Sequence, residues 1–356
     1  MFDINKLIII PPFSLKKKEK EKIMEEALFD LTNHHYKNCL KYQKILDGLN
    51  YNPRKKNKPS EIPFITTKLF KDFELKSINK SKIIKTITSS GTSNSNLSKI
   101  FLDSITATNQ TKVLTKIVSS VLGNKRLPMI IIDTDSSIEN RNFFSARGAG
   151  IKGFSIFGNE IIFALDKNMR IKYNAIKNFC NKHSNKKIFI FGFTFIIYKY
   201  FVKKLLDKKK FLPLNKAILI HGGGWKKLSN QSIANKKFKN LIRKATEIKK
   251  VYNYYGMVEQ TGSILLECNE GHLHSSIYSD VIIRNNDFSL CKVHQKGLVQ
   301  LISVIPRSYP GHIILSEDIG ELLGEDNCKC GLKGKYFKIY GRLKNAEIGG
   351  CSDAYD

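Results

Sequence analysis

Between residues 80 and 260 the chain repeats one pattern: a short apolar run, a polar turn, then a longer segment whose apolar residues recur at helical spacing. The runs IIKTI (83–87), MIIID (129–133), IIFAL (161–165), KIFIFG (187–192), AILIHGGG (217–224) and VYNYYG (251–256) read as buried strands. Helical spacing follows at Ile105, Val113, Leu114, Ile117, Val118 and Val121, and again near 171–182, 194–206 and 232–249. This alternation predicts an α/β sandwich with a mostly parallel sheet. Ligands of such sheets bind beyond the carboxyl ends of the strands, where loops lead into helices.

The flanks differ. Residues 14–50 carry helix-like spacing and end HHYKNCLKYQKILDGL with a glycine stop. After residue 262 come shorter strand-like runs, DVIIR, LVQLISV, HIILS and KYFKIYG, separated by Gly and Pro turns, which predict a small β-rich subdomain. The expected organisation is a helical segment over 1–80 packing on the core, an α/β core over 81–262, the β-rich subdomain over 263–340 and a short tail over 341–356.

Of the 356 residues 42% are hydrophobic, enough for a substantial core. The longest apolar run, 189–201, is broken by Lys199 and falls short of the roughly 20 residues of a membrane helix. The N-terminus lacks a signal-peptide pattern, so the expectation is a cytoplasmic protein without a membrane span. Against 31 acidic residues stand 60 Lys and Arg, a net charge of +29. The lysines are scattered in short clusters and no nucleic-acid module accompanies them, so they read as solvated surface. Seven cysteines without a secretion signal suggest free thiols, a metal site or a reactive cysteine rather than a disulfide framework.

Five stretches carry chemistry. TSSGTSNSNLSK (88–99) is not a Walker-type loop, yet Ser89, Ser90, Gly91, Thr92 and Ser93 with Lys99 supply the donors a polyphosphate needs; an ordinary polar loop is the alternative. HGGGW (221–225) offers in Gly222, Gly223 and Gly224 a flat surface for a planar ring, or a tight turn. YYGMVEQTG (254–262) sets Tyr255 and Gly256 near the acid Glu259, SEDIGE (316–321) offers Asp318 at an expected strand end, and YGRLKNAEIGGCSD (340–353) brings Arg342, Lys344 and Cys351. Separately, Cys268, His272 or His274, Cys328 and Cys330 have the ligand chemistry of a tetrahedral zinc site; Cys268, His272, Cys328 and Cys330 are the expected set, with free thiols as the alternative.

In this order and at these spacings the five stretches resemble the core motifs of the adenylate-forming superfamily, which includes the acyl-CoA synthetases. More narrowly, HHYKNCLKYQKIL, the pairing of HGGGWK with YGMVEQTG and the ending GRLKNAEIGGC resemble the acyl-protein synthetase (long-chain-fatty-acid luciferin-component ligase) family, over nearly the whole chain. The resemblance implies the N-terminal domain of that fold, a layered αβαβα sandwich with a small β-rich subdomain, and a mobile C-terminal domain largely absent. It implies ATP and Mg2+, with Ser89 to Ser93 and Lys99 gripping phosphate, Gly222 to Gly224 lining adenine, Tyr255 and Gly256 beside the base, Glu259 on Mg2+, Asp318 on ribose and Arg342 reaching ribose or phosphate. FGFTF (191–195) takes the place of the segment shaping the acyl pocket, and Cys351 that of the thiol that accepts the acyl group. Two positions depart from the superfamily pattern: Asn94 stands where a second glycine is usual, and Val258 where a threonine is.

The expected function is therefore ATP-dependent activation of a carboxylic, most naturally fatty, acid to an acyl-adenylate, then transfer to a thiol, Cys351, for delivery to an acyl reductase partner. The alternatives are transfer to CoA or a carrier protein and, from another class, a catalytically inactive basic protein that binds nucleic acid or membrane.

Overall fold

The computed structural model describes residues 2–89, 97–138, 144–224 and 233–343. The strands in chain order are β1 (Ile65–Thr66), β2 (Lys85–Thr88), β3 (Lys99–Leu102), β4 (Leu127–Ile132), β5 (Phe144–Ser145), β6 (Gly158–Phe163), β7 (Ile188–Phe193) and β8 (Ala217–Gly222). They continue with β9 (Lys250–Tyr255), β10 (Leu265–Glu267), β11 (Leu273–His274), β12 (Ser279–Arg284), β13 (Lys296–Ser303), β14 (Ile313–Glu325) and β15 (Lys335–Arg342). The described residues fall into two compact units, 121–138 with 144–224 and 233–254 in one, and 2–89 with 97–120 and 255–343 in the other.

The first unit holds the parallel sheet, in the order β9-β8-β7-β4-β6. Every residue of β7 (IFIFGF) and of β8 (AILIHG) is buried, the signature of strands covered on both faces. The covering helix Asn235–Thr246 buries Phe238, Ile242 and Ala245 at spacings of four and three, and Glu247 ends it in the left-handed conformation. Phe191 stacks on Phe154 at 4.1 Å and 16°.

The second unit is antiparallel, β12-β13-β14-β15-β11-β10, with β1 beside β14. The helix Lys17–Asn38 packs Met24, Ala27, Leu28 and Leu31 inward, and Lys20 reaches the buried Asp280 at 3.3 Å, where Lys335 also binds at 2.7 Å. Within this unit a buried histidine pair ties the helix down: His35 bonds Ser77 (2.8 Å) and the Pro306 carbonyl (3.1 Å), and its ring lies 4.8 Å from that of His312.

Two expectations are corrected. KIFL after the hydroxyl stretch is the strand β3, antiparallel to β2, where the repeated pattern leads from a turn into a helix. Asp318 does not end a strand, because β14 runs on to Glu325. What sets Asp318 apart is a bulge: β13 advances two residues from Leu298 to Gln300 while β14 advances four between Leu315 and Ile319. Bulges re-aim side chains.

Candidate functional site

Tyr255, Asp318 and Arg342 come together in the antiparallel unit. Register places Asp318 directly opposite Arg342 across β14 and β15, and the Arg342 Nε lies 3.8 Å from Asp318 Oδ1. The Tyr255 hydroxyl, from the end of β9, donates to the other carboxylate oxygen, Oδ2, at 2.5 Å. Burial pushes the Asp318 carboxyl above the usual carboxylate range, against the Tyr255 hydrogen bond and the Arg342 charge. Burial also raises the Tyr255 phenol well above its ordinary value, reinforced by the Asp318 charge, so its proton stays in place as a donor. The result is a half-open carboxylate, anchored by one donor and faced by one cation, with lone pairs left for hydroxyls of a ligand.

Glu259 sits on the short 3-10 turn Val258–Gln260 that follows β9. Gln260 pins this turn by donating to the Gly311 carbonyl at 2.9 Å and the Leu301 carbonyl at 3.2 Å. The Glu259 carboxyl is only 5% exposed, and burial raises its pKa against the pull of the Ser98 hydroxyl and of the Arg342 and Lys71 charges. Ser98 Oγ lies beside it without a well-formed hydrogen bond, as does the Tyr309 hydroxyl, which the same burial holds protonated. Oxygen donors of this kind around one acid fit a Mg2+ ion, which takes one or two carboxylates and completes its shell with water and phosphate.

Ser89 and Lys99 stand at the base of the β2–β3 hairpin. Ser89 Oγ accepts from the Ser98 amide at 2.9 Å, which commits one of its lone pairs to closing the hairpin, while Lys99 is exposed opposite Thr88. Ser90, Gly91, Thr92, Ser93, Asn94, Lys344 and Cys351 lie outside the described residues. Gly256 follows Tyr255 and is half-buried.

In the parallel unit Gly222 ends β8, and Gly223 and Gly224 follow it. The ring packed on Gly222 is the chain's own: a Cβ there would come 2.3 Å from Tyr254, its partner across β8 and β9. Gly223 has φ +79°, which favours glycine, and a Cβ at Gly224 would meet nothing within 4 Å. His221 binds Thr194 Oγ1 through Nδ1 at 2.9 Å, and burial, with the Lys239 charge, lowers its pKa to about 3, so the ring is neutral. Phe191 and Phe193 are buried in the core, and Phe195 is half-buried near Lys199. Two depressions of about 480 and 490 Å³ are lined by residues at the amino ends of the parallel strands, such as Leu127, Lys187 and Lys216, opposite to the edge where ligands of such sheets bind.

Cys268, His274, Cys328 and Cys330 bring their ligand atoms within 4.8 Å of one another. His274, not the expected His272, belongs to this group; His272 Nδ1 lies 3.5 Å from Cys328 Sγ. The sequence reading also passed over Asp133, at the carboxyl end of β4, which is fully buried and bound by Arg147 Nε at 2.9 Å. Only the run MIIID, an acid closing an apolar strand, signalled it.

The family model described as "Acyl-protein synthetase, LuxE" matches residues 2–356. No curated protein matches the chain. Among solved structures, an open conformation of 2-hydroxyisobutyryl-CoA ligase in complex with 2-HIB-AMP and CoA superposes with TM-score 0.70 at 12% identity, covering 93% of this chain and 71% of that one. The same ligase in the thioesterification state gives TM-score 0.70 at 12% identity, over 94% and 70% of the two chains. The ATP-bound RpMatB-BxBclM chimera B1 gives TM-score 0.50 at 11% identity, over 75% and 49%. The fold is that of the adenylate-forming ligases.

Proposed function

We propose, from the premise that the chain belongs to the LuxE family of acyl-protein synthetases and is therefore an acyl-adenylate-forming ligase, that its acyl group derives from a fatty acid and passes to the thiol of Cys351 for delivery to a reductase. ATP-dependent acyl activation and acyl transfer belong to the family. The observation that supports nucleotide binding is the Tyr255–Asp318–Arg342 clasp, with contacts of 2.5 and 3.8 Å, while the fatty acid and the Cys351 acceptor rest on the family. A carboxylate facing outward between a phenol and a guanidinium suits a ribose whose hydroxyls donate to Asp318, and leaves Arg342 to meet the phosphate that follows.

In the first step a carboxylate oxygen of the acid attacks the α-phosphorus of ATP, and the bond to the bridging oxygen breaks to release pyrophosphate. Catalysis is positioning and charge neutralisation. Asp318 and Tyr255 hold the sugar, and Arg342 faces the phosphate. Glu259 would hold Mg2+, which when bound offsets the charge of the phosphates and favours the ionised Glu259. In the second step a thiolate attacks the acyl carbon, forming a thioester and expelling AMP; the thiol proton passes to solvent or a local base.

The test is carboxylate-dependent ATP–pyrophosphate exchange over a series of chain lengths, followed by intact-mass measurement of the acylated chain. Exchange that rises with aliphatic length, plus one acyl adduct lost in Cys351→Ser while exchange persists, is the expected result. An adduct that survives Cys351→Ser, or transfer only to added CoA, sinks the thiol assignment; absence of exchange with every acid sinks the activation itself.

A further inference from the structure

We infer that Cys268, His274, Cys328 and Cys330 form a structural zinc site that clamps two turns of the antiparallel unit together. The four residues come from two separate hairpins. Cys268 and His274 flank the turn between β10 and β11; Cys328 and Cys330 lie in the turn between β14 and β15.

The two turns are built alike. In CNEG the Gly271 amide donates to the Cys268 carbonyl at 3.0 Å, with Gly271 at φ +80°. In CKCG the Gly331 amide donates to the Cys328 carbonyl at 3.0 Å, with Gly331 at φ +82°. A tight turn closed by a left-handed glycine projects the cysteine that opens it, and the same device appears twice, facing one point. Pairing of β11 with β15, His274 opposite Tyr336, brings the hairpins side by side, and Cys330 Sγ reaches 3.4 Å from His274 Nε2.

Chemistry selects the ion. A tetrahedron with Zn–S bonds of about 2.3 Å holds its sulfurs about 3.8 Å apart. The ligand atoms here already lie within 4.8 Å, so closing the shell takes shifts of about an ångström or less. Three thiolates and an imidazole favour Zn2+ over the oxygen-seeking Mg2+ and Ca2+. A disulfide would use two of the three sulfurs and leave the third and the imidazole unexplained. Three thiolates and one Zn2+ leave a net charge of −1, which a strongly basic chain tolerates. With His274, Cys268 and Cys328 buried and every ligand position taken by protein, no open position remains for a substrate, so the role is structural.

The consequence reaches the ligase chemistry without resting on it. Of the seven cysteines, three are withdrawn from thioester formation by the metal, and Cys39 is buried. Cys351 is then left with Cys180 and Cys291 as a thiol available to an acyl group. The clamp also holds the far end of the β14–β15 hairpin, whose other end carries Asp318 and Arg342.

The experiment is metal analysis of the full chain purified without chelator from zinc-replete cells, with X-ray absorption at the zinc edge. One zinc per chain in a shell of three sulfurs and one nitrogen is expected. Cys268, Cys328 and Cys330 should resist alkylation until a strong chelator is added, and chelation should lower the melting temperature by about 5 °C or more. His272→Ala should keep the zinc. His274→Cys should keep it with four sulfurs in the shell, a readout that survives even if removal of a cysteine prevents folding. A chain with well under one equivalent of zinc that takes up no Co2+ into a tetrahedral thiolate site, a shell with fewer than three sulfurs, or zinc lost in His272→Ala would each overturn the inference. None of these outcomes depends on pyrophosphate exchange.

Discussion

Two aspartate–arginine pairs, one in each unit, use the same residue types for opposite ends. Asp133 is fully buried, and its carboxylate is saturated: it accepts from Arg147 Nε, the Thr134 amide at 2.6 Å and the Ser137 hydroxyl at 2.7 Å. Asp318 has one short donor and a cation 3.8 Å away whose side chain is 40% exposed. The first pair has no lone pair to offer and serves the fold. In the second the Asp318 carboxylate accepts fewer donors, which suits it to the ligand hydroxyls of the proposed function.

The largest test of this contrast is Asp133→Ala, which strands Arg147 without its carboxylate and should destabilise the chain by about 3–5 kcal/mol. Urea unfolding would show it, and a loss below about 1 kcal/mol would mean that water reaches the pair. Asp318→Ala should leave the melting temperature nearly unchanged while lowering kcat/KM for pyrophosphate exchange about 100-fold, a transition-state loss of about 2.7 kcal/mol. If Asp318→Ala unfolds the chain instead, the contrast between the pairs fails.

Acid should act through both units. Burial, reinforced by the His34 charge, depresses His312 to about 3, and burial with the Lys239 charge does the same to His221, so both are neutral in the folded chain. Their contribution is fully present above the ordinary histidine pKa and is lost as pH falls from there toward 3, because the unfolded chain takes up protons that the folded one refuses. Each should cost about 1.4 kcal/mol per pH unit in that window, and His312→Gln should flatten the dependence measured by urea unfolding between pH 6.5 and 5. The smallest effect is Arg342→Lys, which keeps the charge but loses the planar fork; a fall in kcat/KM of about 10-fold or less is expected, with KM for ATP carrying most of it.

Strands were readable wherever apolar residues ran on without interruption. MIIID, KIFIFG and AILI became β4, β7 and β8 because a strand covered on both faces needs no alternation. The strand β3 escaped because its four residues, KIFL, sit between a polar loop and a helix with nothing in their own pattern to say which partner they take. The bulge at Asp318 escaped for a deeper reason: a bulge is a mismatch between two strands, and SEDIGE is only one of them. His272 and His274 stand two apart on an extended segment and stack on the same Tyr336 ring, so local spacing treats them alike; pairing of β11 with β15 separates them.

By itself, the order of residues determined which segments are apolar enough to be strands, where the amphipathic helices run and which stretches hold the donors and acids that phosphate, ribose or metal chemistry would need, since periodicity and residue type are local properties. Only the tertiary structure decided that Tyr255 donates to Asp318, that Arg342 stands opposite it and that His274 joins three sulfurs. Tyr255 and Asp318 are 63 positions apart and His274 and Cys330 56; such contacts are fixed by strand register and turn geometry, and register is a property of pairs of segments that no single segment contains.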